Sequence, residues 1–346
     1  MREIQVGLIG YGFGGSVFHA PLIRADPKFR LHTVVTNSRR EQALQLPGVQ
    51  VAGNVADLLS DPAIELVVVS SPSGTHFQLA HAALLAGKHV VVDKPFAVTV
   101  KEAEQLIALA QENGSVLSAY HNRRWDGDYL TVKHCLESGW LGTVYHYEAH
   151  FDRFRLEIRP GWKDQGGDGS GTLYDLGPHL IDQALQLFGM PQSIAADVGA
   201  QRPGAQAIDY FHLLLHYGCM RAVLHASTVV PNPGPHFTLH GDAATFVKYG
   251  MDPQEEALKA GKSPADPQWG MEAVANYGEL IRPEGSRRKV ETFRGGYEKY
   301  YEALAECIRA GAPVPVDPWD ARNGLVVLEA ALRSSHERRT VDIGVS

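Results

Sequence analysis

Cysteine is scarce in this chain of 346 residues: Cys135, Cys219 and Cys307 are odd in number, far apart and form no Cys-x-x-Cys pair. That excludes a disulfide framework and predicts reduced core thiols in a reducing compartment. No run of Lys and Arg suggests a local basic face, and the net charge of -7 argues against a nucleic-acid partner. No apolar stretch is long enough to span a bilayer. "MREIQVGLIG" enters a strand almost at once, which predicts no signal peptide and a cytoplasmic protein. Internal repeats and low-complexity segments are absent. Without His-Glu-x-x-His or a cysteine cluster, no metal is predicted. What remains, 44% hydrophobic and 21% charged, suits a soluble globular enzyme or binding protein. The length suggests two domains of roughly 150 residues each.

The first 120 residues alternate strand and helix patterns. Short β-branched runs stand at 4–10, 31–36, 65–70, 89–92 and 116–120, with helical patterns such as 76–87 and 100–114 between several of them. Both of those end in Gly, the usual residue just past a helix C-terminus. Such alternation builds a doubly wound parallel sheet, the Rossmann arrangement, predicted for residues 1–121. Past residue 121 a helix at 128–142 leads into strands of period two at 143–152, 210–218, 221–228 and 236–241. These predict a second, α+β domain over 122–346 with an open, mostly antiparallel sheet. A Gly-, Pro- and charge-rich stretch at 250–290 reads as surface loops, and amphipathic helices at roughly 297–310 and 320–335 close the chain.

Gly10-x-Gly12-x-x-Gly15 directly follows the first strand and opens a helical stretch at 14–26. A dinucleotide loop needs glycines there for a tight turn, for close approach to pyrophosphate and for helix–strand packing. Gly10, Tyr11, Gly12, Phe13 and Gly15 are therefore candidate cofactor contacts. An acid usually ends the second strand and holds the ribose hydroxyls of NAD. Here Asn37, Ser38, Arg39 and Arg40 stand in its place. A carboxylate would repel a 2′-phosphate, whereas Ser38, Arg39 and Arg40 can bind one, so NADP is predicted over NAD. The alternative is that both arginines simply open a solvated helix.

"HVVVDKPFA" (89–97) ends a Val-rich buried strand at Asp93-Lys94-Pro95. A lysine is costly to bury unless something uses its charge, so Lys94 is either a catalyst or a snorkelling surface residue. On the helical pattern of 171–189, Asp175, His179 and Asp182 share a stripe, with Pro178 implying an irregular first turn or a later helix start. On an arbitrary helix such a pair is ordinarily solvated. Beside a nicotinamide loop it acquires a use, because alcohol oxidation needs a base for the hydroxyl proton. Histidine suits that task, a lysine cation would stabilise developing alkoxide, and the aspartate would hold substrate or imidazole.

The glycine loop, "SSPSGTH" (70–76), "DKP" (93–95), "YHNRRW" (120–125) and "YDLGPHLIDQ" (174–183) together resemble the Gfo/Idh/MocA oxidoreductases along essentially the whole chain. Within that family the chain is most similar to NADP-dependent inositol dehydrogenases. The resemblance implies that Lys94, Asp175 and His179 are catalytic, with Asp93 in place of the family's glutamate. It also implies cofactor contacts at Ser71, Pro72, His76, Asp93, Lys94 and Asn122. "HFDRFR" (150–155) and Trp162 fall where it implies a substrate wall, making Asp152, Arg153 and Trp162 candidates together with Arg123. The implied function is NADP-dependent oxidation of a secondary hydroxyl of a cyclic polyol, or the reverse reduction. Separately, the alternating strands of the second domain have one face for the helix at 171–189 and leave the other for a partner subunit, which predicts a homodimer or homotetramer. Two alternatives are a dehydrogenase of another sugar or aldose and a non-catalytic regulator that binds the dinucleotide. Retention of Lys94, Asp175 and His179 speaks against the regulator. The face of His146, Glu148, His150 and Asp152 could hold a metal, but the polar or interface side of an open sheet is favoured.

Overall fold

The computed structural model describes residues 2–344 and divides into two compact units. The first runs up to Trp125 and adds Gln254–Trp269 and Gly296–Arg322; the second holds Asp126–Pro253, Gly270–Gly295 and the chain from Asn323 onward.

In the first unit, β1 (Ile4–Ile9) leads through a π-helical turn (Gly14–His19) into α1 (Ala20–Ala25) and β2 (Phe29–Val35). Then follow α2 (Arg40–Leu44), β3 (Gln50–Ala52), α3 (Val55–Ser60), β4 (Leu66–Val69) and α4 (His76–Leu85). The alternation ends with β5 (His89–Asp93), α5 (Val100–Glu112) and β6 (Leu117–Tyr120). All pair in parallel in the order β3-β2-β1-β4-β5-β6. That order reverses direction at β1 and β4, the crevice where ligands of doubly wound sheets bind. β4 and the Val90–Val92 run of β5 are fully buried, which is why they are unbroken valine runs rather than alternating strands. α5 opens on a reciprocal capping box between Thr99 and Glu102, worth about 1 kcal/mol if the cap is lost.

The second unit begins with α6 (Gly127–Glu137), β7 (Val144–His150) and α7 (Gly171–Phe188). It continues with β8 (Ser193–Gly199), β9 (Tyr210–Tyr217), β10 (Met220–Ser227), β11 (Phe237–Gly241) and β12 (Thr245–Lys248). α8 (Gln254–Lys259) belongs to the first unit, β13 (Gly278–Ile281) and β14 (Arg287–Val290) to the second, and α9 (Glu298–Ala310) to the first. α10 (Pro318–Glu337) passes from one set of residues to the other, and β15 (Val341–Asp342) closes the chain. The sheet order is β14-β13-β12-β11-β7-β10-β9-β8-β15. α7 buries Leu173, Leu180, Ile181 and Ala184 in one cluster with Tyr147, Ala149, Leu213, Leu215 and Leu224 of the sheet. Each large side chain there contributes about 1.5–3 kcal/mol relative to exposure.

The fold class matches the sequence reading, with local differences. β7 and β10 pair in parallel, so the second sheet is mixed. The stretch expected as surface loops at 250–290 contains α8, β13 and β14, and it buries Gln254, Leu258 and Trp269. The helix expected at 128–142 stops at Glu137, since Gly139 and Gly142 take positive φ. α7 runs through Pro178 without restarting. Cys135 and Cys307 are buried free thiols, but Cys219 is exposed. Among the described residues, no helix is long and apolar enough to cross a membrane.

Candidate active site

The first unit supplies a dinucleotide cradle. Gly10 has φ 97°, and a Cβ on it would strike the Ser70 carbonyl. A Cβ on Gly15 would overlap the Gly10 carbonyl oxygen, so both glycines are dictated by the turn itself. Gly12 differs. Its Cβ would meet only Ser38 Oγ, 3.8 Å away, so nothing in the protein requires a glycine there. An open, side-chain-free backbone at the mouth of this loop fits the close approach of a pyrophosphate. The residues present therefore fit a bound dinucleotide. Tyr11 is buried and Phe13 exposed, with Lys259 Nζ of α8 5.6 Å from the Phe13 ring.

The end of β2 is fastened to this loop by Thr36, a residue without a sequence signal. Its Oγ1 accepts the Tyr11 N–H (3.3 Å) and the Ser38 N–H (3.1 Å), and donates to the Ser38 carbonyl (2.6 Å). Arg39 caps α2 in the left-handed region at φ 51°. That conformation costs a non-glycine residue of order 1 kcal/mol. Its Nη1 donates to Ser16 Oγ (2.6 Å), and Ser16 Oγ donates to the Gly12 carbonyl (2.6 Å). Arg39 thus lies against the glycine loop, whereas Arg40 turns to the Ala52 carbonyl of β3 (3.4 Å). No carboxylate stands at Asn37–Arg40.

Lys94 follows β5 and joins Pro95 through a cis peptide bond. Asp93 Oδ1 accepts the Lys94 N–H (2.7 Å), while Oδ2 accepts Ser70 Oγ–H (2.9 Å) and lies 3.5 Å from His19 Nε2. A Cβ on Gly14 would come within 2.7 Å of that oxygen, so Gly14 admits the carboxylate to the loop. Burial alone would raise the Asp93 carboxyl. The hydrogen bond and charge of His19, with Lys94 and His76, instead hold it well below the usual range. His76 is buried, its Nδ1 2.8 Å from the Pro95 carbonyl and its Nε2 2.9 Å from the Ser71 carbonyl. It therefore pins the Ser71–Pro72 turn to the Lys94–Pro95 turn. Asn122 is buried just after β6, and the buried Arg123 pairs with the partly exposed Glu255 of α8 (2.7 Å).

The second unit carries Asp175 and His179 one turn apart on α7. His179 is buried near the Phe151 ring, at 6.3 Å between centroids. Lys163 Nζ donates to Asp175 Oδ1 (2.6 Å), and Arg153 Nη2 stands 3.9 Å from Oδ2. Lys163 also lies 5.7 Å from the half-exposed Trp162 ring. The segment bearing these cations is anchored by Asp164, which accepts from Arg155 (3.3 Å), Arg202 (3.1 Å) and the Arg159 N–H (3.0 Å). Asp152 is committed elsewhere: it accepts the Ser227 N–H (3.1 Å) and faces His150 and His225.

Comparison with known proteins agrees with these two units. Residues 4–121 match the NAD-binding Rossmann fold of an oxidoreductase family, and residues 133–343 match its C-terminal alpha/beta domain. The chain is 44% identical to the scyllo-inositol 2-dehydrogenase (NADP(+)) IolW of Bacillus subtilis, over 98% of this chain and 95% of that one. It is also 44% identical to the oxidoreductase YdgJ of Escherichia coli, over 98% of both chains. The solved structure of the oxidoreductase yvaA from Bacillus subtilis superposes with a TM-score of 0.95 at 42% identity, over 99% of each chain. The chain belongs to the Gfo/Idh/MocA family of NAD(P)-dependent oxidoreductases.

Proposed function

We propose that this chain oxidises a secondary hydroxyl of a cyclic polyol, scyllo-inositol to scyllo-inosose or the reverse, with NADP as hydride carrier. The observation that carries the cofactor choice is Arg39, held on Ser16 of the glycine loop where an NAD enzyme would place a carboxylate. The substrate class is supported by the name of the Bacillus subtilis relative and its 44% identity over 98% of this chain.

A dinucleotide held by the glycine loop would supply the acceptor for the hydride that leaves the hydroxyl-bearing carbon. The imidazole of His179 takes the hydroxyl proton, so the alcohol loses one hydride and one proton and becomes a ketone. The Lys94 ammonium offsets charge developing on the oxygen, and the backbone bond from Asp93 fixes where that lysine starts. Asp175, itself held by Lys163, accepts a substrate hydroxyl or steadies the imidazole.

NADPH formation across a panel of inositols and aldoses tests this reading. Turnover of scyllo-inositol is expected. Lys94→Ala and His179→Ala should each lower kcat by about two orders of magnitude, the scale of acid–base catalysis, with little change in cofactor affinity. Turnover of an aldose with none of any inositol would overturn the substrate class. Near-normal kcat in either variant would remove that residue from the chemistry.

A further inference from the structure

On the face of the second unit's sheet opposite α7, β7 and β10 run parallel with His150 and His225 as direct partners. Asp152 lies two residues beyond His150, which returns its side chain to the same face. Its carboxylate stands between the two imidazoles. Oδ2 is 3.2 Å from His150 Nδ1, and Oδ1 is 3.3 Å from His225 Nε2. One donor atom from each of the three residues falls within 4.8 Å of the others. Tetrahedral zinc with bonds of about 2.0–2.1 Å places its donors roughly 3.3 Å apart. The two Asp–His separations have that length but use different carboxylate oxygens, so side-chain rotations must bring one oxygen to both imidazoles.

The surroundings of the three side chains are anionic. His150 lies between two carboxylates, because its Nε2 is 3.5 Å from Glu148 Oε2. The Nδ1 of His225 faces His212 Nδ1 at 3.4 Å. A metal here would take His150 Nδ1 and His225 Nε2, the nitrogens that face Asp152. It leaves the outer nitrogens to donate to Glu148 and His212, the arrangement that orients ligating imidazoles. Asp152 is oriented in turn by the Ser227 N–H. The side chains of His150, Asp152 and His225 are 25%, 7% and 15% exposed, so water can reach a fourth position.

We propose that His150, Asp152 and His225 form a site for a divalent first-row transition ion of the zinc class, tying β7 to β10. Two nitrogens and one carboxylate oxygen disfavour magnesium and calcium, which take oxygen ligands. His179 packs beside Phe151, whose side chain alternates with His150 and Asp152, so the ion takes no part in proton transfer.

The full chain, stripped with a chelator, given one equivalent of zinc and desalted, should retain about one zinc per chain. His150→Ala/His225→Ala should bind it at least tenfold more weakly, and Asp152→Asn should fall between, the loss expected when ligands are removed. Cobalt in place of zinc should show tetrahedral visible absorption in the wild type and lose it in the double variant. Zinc should raise the melting temperature of the wild type alone. If the double variant does not fold, the near-isosteric Asp152→Asn carries the comparison. Wild-type protein that retains no zinc, or retains as much as both variants, overturns the site.

Discussion

If NADP is the cofactor as proposed, Arg39 is the residue expected to select it. NAD and NADP differ at the adenosine 2′ position, and Arg39 is the cation held beside the glycine loop, while Arg40 is directed at β3. A hydrogen bond to a charged group is worth roughly 1.5–3 kcal/mol, so Arg39→Ala should weaken NADP about ten- to a hundredfold and leave NAD nearly unchanged. Titration of both cofactors checks this, and equal loss for the two would show that Arg39 is not selective. Ser38→Asp should begin to reverse the preference. Asp93 makes a different forecast. Its carboxyl is depressed in the folded state, so its stabilising contribution is present above the ordinary aspartate value and is lost as pH falls through and below it. Wild-type melting temperature should therefore drop below about pH 4, while Asp93→Asn, lower at neutrality, should show a flatter acid limb. Parallel acid limbs would mean that the carboxylate contributes nothing through its charge.

At the scale of the element, the β1–α1 turn separates glycines that the fold requires from one, Gly12, that the fold does not require. Gly15→Ala forces a Cβ into the Gly10 carbonyl and should lower the melting temperature by several degrees, the effect of a cost above about 1 kcal/mol. Gly12→Ala meets only Ser38 Oγ at 3.8 Å, so it should melt like the wild type yet bind dinucleotide at least tenfold more weakly. Unchanged affinity in Gly12→Ala would contradict the pyrophosphate cradle. The glycine spacing was legible in the sequence because both roles depend on one residue type at fixed offsets from a strand. Thr36, Ser70, His19, Gly14 and Ser16 were not legible. They act through partners 23 to 282 residues away or through one hydroxyl in an ordinary loop, and no local pattern marks them. α8 was missed for a related reason: six residues between Gly- and Pro-rich segments are too short for helical periodicity to show.

At the scale of the whole molecule, the outward face of the second sheet carries Leu214 and Val223 among histidines and carboxylates, while α7 packs on the other side. A second copy of the chain is the expected cover for it. Sedimentation should give a dimer or tetramer at micromolar concentration; a monomer would remove that expectation. The sequence alone determined the βα alternation, the parallel first sheet, the glycine loop, the absent carboxylate after β2 and the i, i+4 pair of Asp175 and His179. All of these are periodicities or fixed spacings, which survive in one dimension. Tertiary structure decided the rest. It turned Arg39 onto Ser16 and Arg40 away, used Asp93 to hold Lys94, placed α8 with the first unit, and set His225 beside His150 across 75 residues of chain. Those outcomes depend on which strands become neighbours and in what register, and that is settled by the packing of the whole sheet and not by the residues adjacent in sequence.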